Sequence, residues 1–146
     1  SFYWHFKNRE ELLCHVVDWW RDNQLAFIDG LDISHINDAP NLIKSVIDFT
    51  DQTDDSHHDI AMREFARFND YAAAAVAQID HSRINYLCAL FTAADFDDAE
   101  ALLRAQALYF YQVGEYTTSL NLSDDLRDEL AERRFRLLIA RPPEAK

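Results

Sequence analysis

An all-α fold is what this sequence predicts, and three observations predict it. The 146 residues include only two glycines and three prolines, whereas an all-β fold with many tight turns needs more of both. Apolar residues make up 49% and charged residues 27%, an ordinary balance for a globular protein. Apolar positions also recur at helical spacing behind recognisable helix starts. The length suits one compact domain with a single sizeable core.

The first helix starts at Asn8, which can cap it while Glu11 reaches back as in a capping box. Leu13, Val16, Val17, Trp20, Phe27 and Leu31 form its apolar stripe, and Gly30 ends it. A second helix is expected over Asp38 to Gln52, with Pro40 in its first turn and Leu42, Ile43, Val46, Ile47 and Phe49 facing inward. The acid-rich run from Asp51 to Asp59 reads as a loop leading into a third helix, Ser56 to Phe68, carrying Ile60, Ala61, Phe65 and Phe68. The fourth runs from Asp70 to Ala94, with an alanine run at 72–75 that helix propensity alone explains. Asp97 and Glu100 start a fifth, over 98–119, with Leu102, Leu103, Gln106, Ala107, Phe110, Val113, Gly114 and Thr117 on one face. Small residues there let a second helix approach closely. The last helix, 124–141, follows Ser123, sets Asp124 and Asp125 at the positive end of its dipole, and stops before Pro142-Pro143. Leu126, Leu130, Leu137 and Leu138 carry its stripe.

Cys14 and Cys88 are too few and too far apart for a disulfide scaffold or a zinc site, so they read as reduced core residues. No stretch has a secretory pattern or the length of a bilayer span, and the expected compartment is the cytoplasm. The net charge of −12 argues against nucleic-acid binding by the chain as a whole. Its first nine residues depart from this, holding Lys7 and Arg9 and no acid. Because the chain opens at Ser1 in the middle of what reads as a motif, it is expected to be part of a longer protein.

That motif is Ser-Phe-Tyr-Trp-His-Phe-Lys-Asn-Arg-Glu-Glu-Leu-Leu, residues 1–13. It resembles the end of the recognition helix and the start of the following helix in TetR-family transcriptional regulators. Ser1, Phe2, Tyr3, His5, Phe6, Arg9, Leu12 and Leu13 match the general pattern, and Trp4, Lys7 and Asn8 match its tetracycline-repressor version. A weaker likeness to the family's ligand-binding helices covers Met62–Ala66, Val76, Ile79-Asp80, Arg83, Leu87 and the turn at Asp95-Phe96. The commoner pattern has Trp where Phe65 stands and Gly where Asp95 stands.

The resemblance implies three parts: the end of a helix-turn-helix domain at 1–13, an effector-binding and dimerisation domain at 14–141, and a tail at 142–146. Tyr3, Trp4, His5, Lys7 and Arg9 would touch operator DNA, chiefly its phosphates. Trp20, Phe49, Phe65, Phe68, Tyr86 and Tyr109 would line the effector pocket. Ala107, Phe110, Gly114, Thr117, Leu126, Leu130 and Leu137 would form a homodimer seam in a four-helix bundle. The implied function is a ligand-responsive regulator, in the usual case a repressor, released from DNA by a small effector.

Set against this, residues 1–6 also read as an aromatic core turn, and aromatic residues at helical spacing as plain core. His57-His58-Asp59 could bind a metal, but adjacent histidines point to different sides of a helix, so a solvated helix start fits the three better than a metal site. Asp80 and Arg83 fit a structural ion pair. No phosphate loop, nucleophile elbow or di-metal Glu-x-x-His pair is present, so neither an enzyme nor a cofactor is expected. The alternative function is a stand-alone small-molecule-binding or catalytic bundle with no role on DNA.

Overall fold

A computed structural model describes residues 5–31, 33, 37–50 and 56–141. Among them are six α-helices and no strand: α1 (Arg9–Asp29), α2 (Ala39–Thr50), α3 (Ser56–Ala66), α4 (Asp70–Ala93), α5 (Asp98–Thr117) and α6 (Asp124–Ile139). The all-α expectation holds. The chain divides into two compact units, Ser1–Asp32 with Asp55–Arg83, and Ile33–Asp54 with Ile84–Lys146. The division falls inside α4, and the expected boundary at residues 13 and 14 lies within the unbroken α1.

Helix starts are fixed by side chains that take up N–H groups a helix leaves orphaned. Asn8 accepts from the Glu11 N–H at 2.8 Å, Asp97 from Glu100 at 2.9 Å and Ser123 from Leu126 at 3.3 Å. Asn69 caps α4 in the same way, accepting from Ala72 at 2.9 Å. The Glu11 carboxylate reaches back to the Lys7 N–H, one residue before the cap. Gly30 ends α1 at φ −74°, so a right-handed turn closes this helix and no left-handed glycine is needed.

The first unit is built on Val17 and Trp20 of α1, Met62 of α3 and Ala72, Ala75, Val76 and Ile79 of α4. Leu25, Phe65 and Ala66 pack on its margin. The second is built on Ala39, Ile43 and Ile47 of α2, Leu87, Leu90 and Phe91 of α4, Ala101, Ala105, Leu108 and Tyr109 of α5, and Ala131 and Leu138 of α6.

Several apolar residues expected to face inward do not. Val16 and Phe27 of α1 are exposed, because Val17 and Trp20 define the buried side. On α2 the buried line is Ala39, Ile43 and Ile47, four apart; Phe49 lies about 200° round from Ile47 and is exposed. The third helix buries Asp59 and Met62, leaving Ala61 exposed, and it ends at Ala66, which puts Phe68 in the connection at 87% exposure.

In the second unit the α4–α5 turn is held by two arginines. Asp95 sits at φ +65°, the left-handed region that L-residues other than Asn and Asp rarely enter. Arg141 donates to the Asp95 carbonyl at 2.9 Å and to the Ala94 carbonyl at 2.8 Å. The guanidinium carbons of Arg104 and Arg141 lie 4.2 and 4.4 Å from the centre of the Phe96 ring, within cation–π range. Arg104 also donates to the Leu138 carbonyl at 2.7 Å, taking up an acceptor at the end of α6 that no intrahelical donor reaches.

Asp95→Gly should therefore raise stability by about 0.5 kcal/mol, since relief of the left-handed strain outweighs glycine's entropic cost. Urea denaturation of the two proteins measures it, and a destabilised glycine variant would show that the turn is not strained.

Candidate functional site

The N-terminal approach to α1 carries the residues expected at DNA. Tyr3 and Trp4 lie outside the described residues. His5, Lys7 and Arg9 are all exposed, and Phe6 is half-buried with its ring 5.3 Å from that of His15. The three polar side chains are thus brought to one exposed segment. Glu10 and Glu11 share the first turn of α1, where their charge suits the helix dipole. With Asn8 and Glu11 already accepting from backbone N–H groups there, an incoming anion would meet Lys7 and Arg9 rather than an open helix end.

The six residues expected to line a pocket divide between the units. In the first, Trp20 is buried and Phe65 packs on the same core, while exposed Phe68 joins neither. In the second, Tyr109 is buried and Tyr86 packs on the same core, while Phe49 is exposed. The Trp20 indole N–H is buried without a hydrogen-bond partner, which leaves a donor unsatisfied inside an apolar core. Burial raises the pKa of the Tyr86 phenol above its ordinary value.

A charged network lies beside Trp20's core. Asp59, near the start of α3, accepts from Arg63 at 2.8 Å and from Arg83 at 2.9 Å. Arg63 also pairs with Asp80 through two bonds, of 3.1 and 2.6 Å, and Arg83 donates to Gln24 of α1 at 2.8 Å. Asp59 is 4% exposed, and both guanidiniums answer its carboxylate there. Asp80 and Arg83, expected to pair with each other, are seen bonded to Arg63 and to Asp59, in a four-charge network that with Gln24 ties α1, α3 and α4 together. Asp59 was read as part of a solvated helix start. The signal that marks it is the pair of helical spacings, Asp59 with Arg63 and Asp80 with Arg83, which bring two acids and two bases onto facing helices. His57 and His58 are exposed, and among the described residues no three metal-binding side chains converge.

A cleft of about 400 Å³ opens between α2 and α6, lined by Lys44, Asp48, Asp124, Arg127, Asp128, Ala131 and Glu132. Lys44 bridges Asp48 at 3.0 Å and Glu132 at 3.6 Å, and the hydrogen bond to Asp48 does most to raise its pKa. None of the aromatic residues expected around an effector lines this cleft.

The seam residues lie on α5 and α6. Ala107, Phe110, Thr117, Leu126 and Leu137 are exposed, and Gly114 and Leu130 are intermediate. A Cβ built on Gly114 meets nothing within 4 Å, so its own chain makes no demand for glycine there.

Where α5 and α6 touch, Arg104 meets the Leu138 carbonyl, and Arg134 lies 4.0 Å over the Tyr111 ring. Early α5 thus meets late α6, and the pair is antiparallel. Each contact residue follows a stripe residue by one place: Leu103 then Arg104, Phe110 then Tyr111, Arg133 then Arg134, Leu137 then Leu138. One residue is about 100° of helix rotation, and in an antiparallel pair this shared offset turns both stripes to the same side. Leu103, Ala107, Phe110, Gly114 and Thr117 therefore share one face with Leu126, Leu130, Arg133 and Leu137.

Compared with known proteins, the chain matches no family model, no curated protein and no solved structure. None of the helices is long and apolar enough to cross a membrane, among the described residues.

Two outcomes test the network and the buried phenol. Asp59→Ala should cost about 3 kcal/mol, because it strands guanidiniums that the carboxylate neutralised; an unmoved denaturation midpoint would show the network to be dispensable. For Tyr86 the folded-state pKa exceeds the unfolded value of about 10. Its contribution is thus intact below pH 10 and is lost as pH rises through the folded pKa. Tyr86→Phe should flatten the fall in stability above pH 10, as denaturation at pH 8 to 11 would reveal.

Proposed function

We propose that this chain is the effector-binding and dimerisation part of a TetR-family transcriptional regulator, in the usual case a repressor. The observation that carries the reading is the run Ser1–Leu13, with His5, Lys7 and Arg9 exposed just before and at the start of α1. Two features of the fold support it. The helix start at Asn8–Arg9 falls where the resemblance puts the helix after the recognition helix. Asp95 takes a left-handed conformation at the position where the commoner family pattern has glycine.

In this reading Lys7 and Arg9, with His5, Tyr3 and Trp4, contact operator phosphates in a protein that also carries the base-reading helix. The effector binds among the helices of the chain, and the Trp20 N–H is a donor for an oxygen acceptor on it. Two copies join through the shared face of α5 and α6, whose exposed Leu103, Phe110 and Leu137 make an apolar patch of the kind that marks an interaction surface. Effector binding acts on DNA only insofar as it favours one arrangement of the dimer over another.

Sedimentation of this chain at micromolar concentration should give a dimer. A chain extended upstream of Ser1 should hold operator DNA with an affinity that falls steeply as salt rises. Failure of that extended protein to bind DNA at low salt would overturn the regulator reading and favour a stand-alone helical bundle that binds or transforms a small molecule.

A further inference from the structure

We propose that two copies of this chain pair with α6 antiparallel to the partner's α6, placing Glu129 of each copy against Arg136 of the other. The proposal rests on the dimer reading above and specifies its register. On α6 the line Leu126, Leu130, Arg133, Leu137, exposed except for half-buried Leu130, is spaced four, three and four, the spacing of a coiled-coil seam. Set antiparallel, Leu126 meets the partner's Leu137 and Leu130 meets the partner's Arg133, whose methylene stem covers the leucine while its charge reaches water. Set parallel, Arg133 would meet its own copy, like charge on like.

The flanking positions agree. Glu129 and Arg136 each precede a seam leucine by one residue, and antiparallel register brings these positions face to face across the seam. Both are well exposed, at 55% and 72% of their side-chain surface. Charge along the whole helix has the same polarity. Asp124, Asp125, Asp128, Glu129 and Glu132 occupy its first part, with Arg127 the one cation among them, and Arg133, Arg134 and Arg136 its last. Within the copy, Glu129 pairs with Arg133 and Glu132 with Arg136, so the interhelical pair forms by exchange among exposed charges, with little desolvation. The partner's α5 offers no equivalent, since Leu102, Gln106 and Val113, which precede its seam positions, are uncharged. Each helix therefore faces its own counterpart.

A charge exchange tests the register, read as the dimer dissociation constant by sedimentation equilibrium, with helicity checked by circular dichroism. Glu129→Arg alone and Arg136→Glu alone should each weaken the dimer about tenfold, as two symmetry-related pairs turn repulsive. The double variant E129R/R136E should return to within about threefold of the parent. Single variants that dimerise like the parent, or a double variant no tighter than the singles, would overturn the register while the dimer itself stands. A parent chain that stays monomeric would overturn both.

Discussion

The arrangement of the second unit depends on how the end of α6 is tied to the α4–α5 turn. Arg141 reaches the Ala94 and Asp95 carbonyls, Arg104 reaches the Leu138 carbonyl, and Phe96 lies beside both guanidiniums. Carbonyls at helix ends and turns need donors, and arginine supplies several from one planar group. These bonds place the last turn of α6 against the first turns of α5, which makes the pair antiparallel. The rotational phase of each helix follows, because its contact residues must face the other. The exposed leucines come to lie on one side as a consequence of that phase.

Unit one solves a different problem. Its core is small and rich in alanine: Ala72 and Ala75 of α4 lie in the same cluster as Trp20 and Met62. Apolar burial of that extent is supplemented by the network around Asp59. Ion pairs of this kind are weak as a source of net stability, but breaking one is costly. Their effect is to favour one packing of α3 on α4, since a shift of either helix parts the charges of Asp59 and Arg83 and of Arg63 and Asp80, while α1 joins through the Gln24 hydrogen bond. The unpartnered Trp20 N–H stands out against that otherwise satisfied setting.

Local chemistry was legible in the sequence, and the choice of buried face was less so. Asn8, Asp97 and Ser123 announce helix starts because a cap needs only a short side chain and an N–H three residues on. Phe49 and Phe68 were misplaced because a large aromatic adds to an apolar stripe wherever it sits, while burial is set by the facing helix. On α2 that helix contacts Ile43 and Ile47, and on α3 the chain leaves the helix before Phe68. Asp59 was hidden by its neighbours, since two exposed histidines and a run of acids read as solvent. Its burial depends on Arg83, which lies twenty-four residues away. The shared face of α5 and α6 was half visible: spacing revealed each stripe, but only the contacts of Arg104 and Arg134 bring the two to one side.

The charge of the chain bears on what such a face must accomplish. Each copy carries a formal −12, so two copies repel at distances comparable with the Debye length, about 8–10 Å in physiological salt. An association that relied on charge alone would not survive this. In the proposed dimer, apolar burial at Leu103, Phe110, Leu126 and Leu137 would have to provide the attraction, and charges at the rim would then select orientation without providing the affinity. The polarity of α6 suits that division, since its acids and arginines cancel across an antiparallel seam and clash across a parallel one. The same surplus of acid repels nucleic acid from most of the surface. Lys7 and Arg9 precede the first acids of the chain, and in the proposed reading a phosphate backbone would meet the segment leading into α1.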